Sequence, residues 1–251
     1  MMSANFDLTG KRALITGAGR GIGRGVAEAL ASAGAQVTIC ARSAAELDDV
    51  VATIIAAGGL ADALVLDVTD VRAFATAIEA SEPYDIFVNN AGTNRPALLK
   101  DVTEEDFDHI IGLNLRAAVF TAQAVALGMV RAGNGGSIIN MSSQMGHIGA
   151  AKRSIYCASK WAIEGFTKAM AIELGPHAIR VNTICPTFIE TPLTKPYFED
   201  PAFRHEVLDK IKLGRVGKVQ DIVGAAVFLA SDASSLMTGS ALMVDGGWTA
   251  E

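Results

Sequence analysis

A chain of 251 residues, half of them hydrophobic and only 19% charged, is long enough to bury a large core and too apolar to be disordered. Its 21 basic and 27 acidic residues give a net charge of −6 with no Lys/Arg run, which argues against nucleic acid or an anionic membrane as a partner. Cys40, Cys157 and Cys185 are odd in number and widely separated. No Cys/His spacing suggests a metal, and reduced thiols in a reducing, cytoplasmic compartment are expected.

The opening MMSANFDLTGKR has no apolar segment of signal-peptide type. No run reaches ~18 apolar residues, so no transmembrane helix is expected. Short apolar runs then alternate with helix-length periodic segments. The strand-like runs are RALIT (12–16), QVTIC (36–40), ALVLD (63–67), DIFVNN (85–90), SIINMSS (137–143), IRVNTICP (179–186) and SALMVDG (240–246). Their near-continuous Val/Ile/Leu content suits parallel strands buried on both faces. Between the first two, Ile22, Val26, Ala27, Leu30 and Ala31 recur at helical spacing. Strand and helix alternate along the whole chain without linker or repeat. This predicts an α/β fold, a single Rossmann-type doubly wound domain over 1–251 with a seven-stranded parallel sheet. Segment 191–214 breaks the rhythm. It carries Pro192, Pro196 and Pro201, is more charged than its surroundings and exceeds an ordinary connection. A substrate-binding lid between the sixth and seventh strands is expected there.

The first strand runs into TGAGRGIGRG. Glycines between a strand and a helix let the backbone turn sharply beside a phosphate, and the helix N-terminus then offers free N–H groups. The common G-x-G-x-x-G fingerprint is not met, since Ile22 and Arg24 stand where its third glycine would be. What is met is Thr16-Gly17-x-x-x-Gly21-x-Gly23. NNAG (89–92), Asn114, Ser143, Tyr156 with Lys160, and VDGG (244–247) follow in order. The chain thereby resembles the short-chain dehydrogenase/reductase family over residues 8 to 248.

The resemblance implies a nicotinamide cofactor held by Gly17, Gly21, Ile22 and Gly23. It also implies adenine contacts from Asp67 and Val68, a path lined by Asn90, Ala91 and Gly92, and a homotetramer. At the end of the second strand an acid would bind the ribose hydroxyls of NAD(H). Here Ala41 stands at that position and Arg42 follows, with Arg20 in the glycine loop. Two guanidiniums near one 2′-phosphate favour NADP(H) over NAD(H). After the sixth strand comes PTFIETP. Pro186 and Thr191 match the family and Thr187 replaces its usual glycine. The Ile189 backbone and Thr191 would hold the nicotinamide carboxamide.

Hydride transfer needs an acid/base at the substrate oxygen. A tyrosine has an ordinary pKa of about 10, which a nearby ammonium lowers. Tyr156 and Lys160 are four residues apart, so on a helix they share a face. The family adds that Lys160 binds the nicotinamide ribose, that Ser143 orients the substrate oxygen and that Asn114 holds a water relaying protons. No G-x-S-x-G elbow surrounds Ser143, so it is no acyl-transfer nucleophile. Gln144, Met145, His147 and Thr187 are candidate contacts to a small-molecule substrate. PTFIETP resembles the matching stretch of sugar-acid and polyol dehydrogenases such as gluconate 5-dehydrogenases, which points to a sugar, sugar acid or polyol. The rival substrate is a 3-oxoacyl thioester on acyl carrier protein. A non-catalytic NADP(H)-binding regulator on the same fold is a remoter alternative.

Overall fold

The computed structural model describes residues 5–250. Seven strands form one parallel sheet: β1 (Arg12–Thr16), β2 (Gln36–Ala41), β3 (Leu60–Val65), β4 (Ile86–Asn89), β5 (Gly136–Met141), β6 (Ile179–Pro186) and β7 (Ala241–Val244). Their order across the sheet is β3-β2-β1-β4-β5-β6-β7, so the chain reverses its direction of travel between β1 and β4. In doubly wound sheets that switch point opens a crevice at the carboxyl ends of the strands.

Successive strand side chains point to opposite faces, and each face meets its own helices. On one side Ala13, Ile15, Val37, Ile39, Val88 and Ile139 pack with α1 (Gly21–Ser32), α2 (Ala44–Ala56) and α8 (Val219–Ala230). On the other, Leu14, Cys40, Phe87, Ile138 and Val181 pack with α3 (Val71–Glu79), α5 (Ala118–Ala132) and α6 (Ser154–Leu174). Cys40 and Cys185 are buried, as the apolar runs around them predict.

β3 differs from its expected position. It spans 60–65 rather than 63–67 and is not buried on both faces: Leu60 and Val65 are exposed. It is the sheet edge and pairs with β2 alone, so the extended backbone ends when β2 ends, at Ala41 opposite Val65. One helix is also longer than the unbroken apolar runs suggest. α4 (Glu104–Ile111), a π-helical segment (Gly112–Ala117) and α5 run on as one 29-residue helix, long and apolar enough by composition to cross a membrane. Its apolar residues are interleaved with polar ones, so no unbroken run flags it. In the fold, Val125 and Met129 of this helix lie in the core on the sheet. The Thr103/Asp106 capping box starts it and Gly133, at φ +70°, ends it.

Segment 191–214 folds as a turn at Lys195–Glu199 followed by α7 (Pro201–Lys210). Phe188, at the root of this excursion, stacks within 6.0 Å of the Phe198, Phe203 and Trp248 rings. This aromatic cluster pins the segment above the carboxyl ends of β6 and β7.

Candidate active site

Every predicted site residue lies at or just beyond the carboxyl edge of the sheet. Gly17 follows β1 at φ +65°, where a Cβ would come within 2.9 Å of Ala91 Cα. A Cβ on Gly23 would overlap the Gly17 carbonyl oxygen. Only glycine allows this turn and helix to meet the loop after β4 so closely. Asn90 locks the turn: its N–H donates to Thr16 Oγ1 at 3.0 Å and its side-chain amide to Thr16 O at 2.9 Å. Ile22 packs behind the turn on the core. The first turn of α1 holds no acidic residue, and no side chain caps its N–H groups. Bare backbone, free N–H groups and a favourable helix dipole fit a pyrophosphate.

Arg20 and Arg42 stand exposed on the rim of this crevice. Arg20 lies 3.6 Å from Glu46 and Arg42 lies 4.0 Å from Asp67. Exposed pairs this long hold little energy, so both guanidiniums can turn to a bound phosphate. Burial pushes the Asp67 carboxyl up, but bonds from the Thr69 N–H and hydroxyl, with Arg42 nearby, hold it below the usual range. Val68 is buried beside it.

Across the crevice, Tyr156 and Lys160 project from the first two turns of α6. Lys160 is 6% exposed. Its Nζ donates to Met141 O at 2.8 Å and sits 5.6 Å from the Tyr156 ring centroid. Burial lowers the Lys160 pKa to about 8, against the pull of Cys185 and Glu164. Burial raises the Tyr156 phenol to about 12, with the neighbouring Ser143 hydroxyl offsetting part of the rise. Ser143, two residues past β5, accepts the Met145 N–H at 3.1 Å and donates to Gln144 Oε1 at 2.8 Å. Its hydroxyl can also reach Pro186 O at 3.4 Å, so its hydrogen can rotate away from Gln144 towards a substrate oxygen. The Gln144 Nε2 and Thr187 Oγ1 atoms are buried with no hydrogen-bond partner among the described residues.

Asn114 sits in the π-helical segment, a distortion common at functional sites. Its amide donates to Thr93 O at 2.9 Å and to Ser159 Oγ at 3.2 Å, while its Oδ1 accepts the Thr93 N–H at 2.8 Å. The side chain thus clamps the loop that carries Ala91 and Gly92. Ile189 is buried beyond β6, and its carbonyl accepts the Thr194 hydroxyl at 2.5 Å. Thr191 lies against Gly21, which brings the loop after Pro186 back onto the glycine turn.

Met145 is buried. His147 is committed elsewhere: its Nε2 is 3.4 Å from Glu164 and 3.5 Å from Cys185. The Thr183 hydroxyl and the Cys185 thiol also donate to Glu164. Spacing in the sequence gives no hint of this network, because its members come from β6, α6 and the loop after β5. Arg153 and Tyr197 also escape sequence reading. Arg153, just before α6, lies 6% exposed with its guanidinium carbon 5.6 Å from the Tyr197 ring centroid.

Fold and site together define an oxidoreductase on a dinucleotide-binding sheet. A family model described as Enoyl-(Acyl carrier protein) reductase matches residues 17–249. The chain belongs to the short-chain dehydrogenase/reductase family. It is 41% identical to the L-xylulose reductase of Bos taurus, over 97% of this chain and 98% of that one. It is 40% identical to the gluconate 5-dehydrogenase of Gluconobacter oxydans, over 97% and 96%. The crystal structure of a gluconate 5-dehydrogenase from Burkholderia cenocepacia, in complex with NADP and tartrate, superposes with a TM-score of 0.95 at 36% identity, covering 99% of this chain and 98% of that one.

Proposed function

We propose that the protein interconverts a ketone and a secondary alcohol of the sugar, sugar-acid or polyol series with NADP(H): ketone + NADPH + H⁺ gives alcohol + NADP⁺. The single observation that carries the chemistry is Tyr156 and Lys160 on one face of α6 with Ser143 facing them. The sugar-acting relatives supply the substrate class. The three relatives reported are named for a ketose or a sugar acid, which favours this reading over a 3-oxoacyl thioester.

The cofactor supplies or accepts the hydride. Arg20 and Arg42 would hold its 2′-phosphate, Gly17 to Gly23 its pyrophosphate, and Asp67 and Val68 its adenine. Asn90 to Gly92 would line its path, and Ile189 with Thr191 would bind its carboxamide. In reduction Tyr156 gives its proton to the substrate oxygen while Ser143 orients that oxygen. The ammonium of Lys160 stabilises the phenolate left behind. In oxidation the same groups run in reverse. Gln144 and Thr187, with unpaired polar atoms, would bind substrate hydroxyls.

We also assign segment 191–214 as the lid, since its Tyr197 already reaches Arg153 beside the catalytic helix. A homotetramer fits the exposed Phe107, Phe120, Leu127, Trp161 and Ile172 on the helices 104–132 and 154–174. Three cysteines outside any disulfide fit a cytoplasmic enzyme. NADPH oxidation followed at 340 nm against a panel of ketoses and keto-acids of the sugar series tests the function. Turnover abolished by Tyr156→Phe is the expected result. Absence of turnover on the whole panel, or an unaffected Y156F rate, rejects it.

A further inference from the structure

Arg153 is buried and Arg180 is half-buried, and their surroundings differ. Arg180 donates to Ser234 Oγ at 2.7 Å, to Leu229 O at 2.8 Å and to Ser231 O at 3.1 Å, so its guanidinium is well satisfied. Arg153 has one long bond, 3.5 Å to Lys152 O, and the face of Tyr197. Among the described residues no carboxylate pairs with it. Asp106, which lines the same cleft as Arg153, is engaged by Arg95 at 3.2 Å. Burial lowers its pKa, and the only groups that counter this are Tyr197, Tyr156 and Cys157. A buried charge without an opposite partner is costly, and a bound anion would relieve that cost.

Arg153 stands three residues before Tyr156, at the mouth of α6 and under the segment that carries Tyr197. The unpaired amide of Gln144, a side chain only 1% exposed, lies on the same catalytic edge. We propose that Arg153 anchors a carboxylate of the substrate, so that the enzyme acts on a polyhydroxylated keto or hydroxy acid rather than on a neutral ketose or polyol. The proposal rests on the sugar-acting assignment of the site and narrows it. A planar guanidinium binds a carboxylate through two parallel N–H···O bonds. The phenol ring of Tyr197 over the guanidinium then closes the segment onto the occupied site. A phosphate ester would present a dianion, and Arg153 is the one buried guanidinium among the described residues. The carboxylate takes no part in the redox step.

The test compares 5-keto-D-gluconate, L-sorbose and D-fructose 6-phosphate as substrates with NADPH, in the wild type and in Arg153→Met and Arg153→Lys. The expected kcat/KM for the keto-acid exceeds that for the neutral ketose by about 100-fold, the scale of a buried charge-assisted pair. Arg153→Met collapses this ratio through KM, and Arg153→Lys restores part of it. Equal losses on acid and ketose in Arg153→Met, or a preference for the phosphate ester, overturn the anchor and leave the sugar assignment standing. No turnover of any of the three rejects the sugar assignment itself. A second measurement needs no variant: calorimetric titration of the wild-type protein with D-gluconate and with D-glucitol, its neutral counterpart. Saturable binding of gluconate alone is expected, and equal binding of both overturns the proposal.

Discussion

Lys160 Nζ lies 5.6 Å from the ring centroid of Tyr156, one helical turn away, and both groups are enclosed enough to shift in opposite directions. With the phenol near 12 and the ammonium near 8, the resting site at neutral pH holds a proton on each. That is the state needed to donate a proton during reduction. Above about pH 8 the lysine loses its charge and no longer stabilises the phenolate that donation leaves. The kcat/KM for ketone reduction is therefore expected to be flat below pH 8 and to fall with a slope near −1 above it. The residual reductase activity of Lys160→Met should lack that limb. A profile that still falls from pH 8 in the variant would place the titrating group elsewhere.

The same lysine is expensive to keep. Its folded-state pKa of about 8 lies below the ordinary 10.5, so between these values the unfolded chain binds more protons and stability rises with pH. Below pH 8 both states are charged and the full penalty, about 3 kcal/mol, is present. Lys160→Met removes the penalty but leaves the Met141 carbonyl without its donor, which returns about 1 kcal/mol or more. A net gain in stability of about 1–2 kcal/mol is expected at pH 7, shrinking towards zero or below by pH 10.5. Urea denaturation of both proteins across that range checks the sign. A variant less stable than wild type at pH 7 would mean that the ammonium is solvated in place.

Arg20 and Arg42, the residues proposed to hold a 2′-phosphate, each lean on an exposed acid. Because those contacts are weak, a 2′-phosphate gains both cations at small cost. Arg42→Ala should raise the Kd for NADPH by roughly 10- to 100-fold and change that for NADH by no more than a few-fold. Arg20→Ala should do the same to a smaller degree. Removing the competing carboxylate, with Glu46→Gln, should tighten NADPH binding and steepen its dependence on salt. Fluorescence titration with the two nucleotides measures all three, and equal losses for NADPH and NADH would rule out phosphate recognition by Arg42.

The parts of this molecule visible in its sequence are those whose cause is local. β1 and β6 fall where the apolar runs 12–16 and 179–186 place them, because central strands are buried on both faces and show it in nearly continuous apolar sequence. β3 was displaced by three residues at its start, because an edge strand is set by its partner's register and not by its own hydrophobicity. Tyr156 and Lys160 are legible because four residues on a helix make one face. Arg153 is not, because nothing in GAAKRSIY separates it from Lys152, whose side chain is exposed; the difference is made by Tyr197, more than forty residues on. The bond between His147 and Glu164 and the clamp of Asn114 on Thr93 are likewise tertiary, each joining two elements that periodicity treats separately.

Asn114 separates two roles that its motif alone cannot. The resemblance implies a water-holding, proton-relaying residue. In the structure its amide makes three bonds, two of them to the Thr93 backbone, while a Cβ on Gly92 would lie only 3.4 Å from its Oδ1. Those bonds hold the loop that lines the cofactor path. If the clamp is its main contribution, Asn114→Ala leaves two part-buried Thr93 backbone groups unpaired. It should then cost about 1–3 kcal/mol of stability and raise the KM for NADPH several-fold. If the relay dominates, the loss falls on kcat with little change in stability, and the solvent deuterium isotope effect on kcat grows. Measuring denaturation, NADPH affinity and the isotope effect on one variant decides between them. The bonding pattern predicts that the first two will move and the third will not.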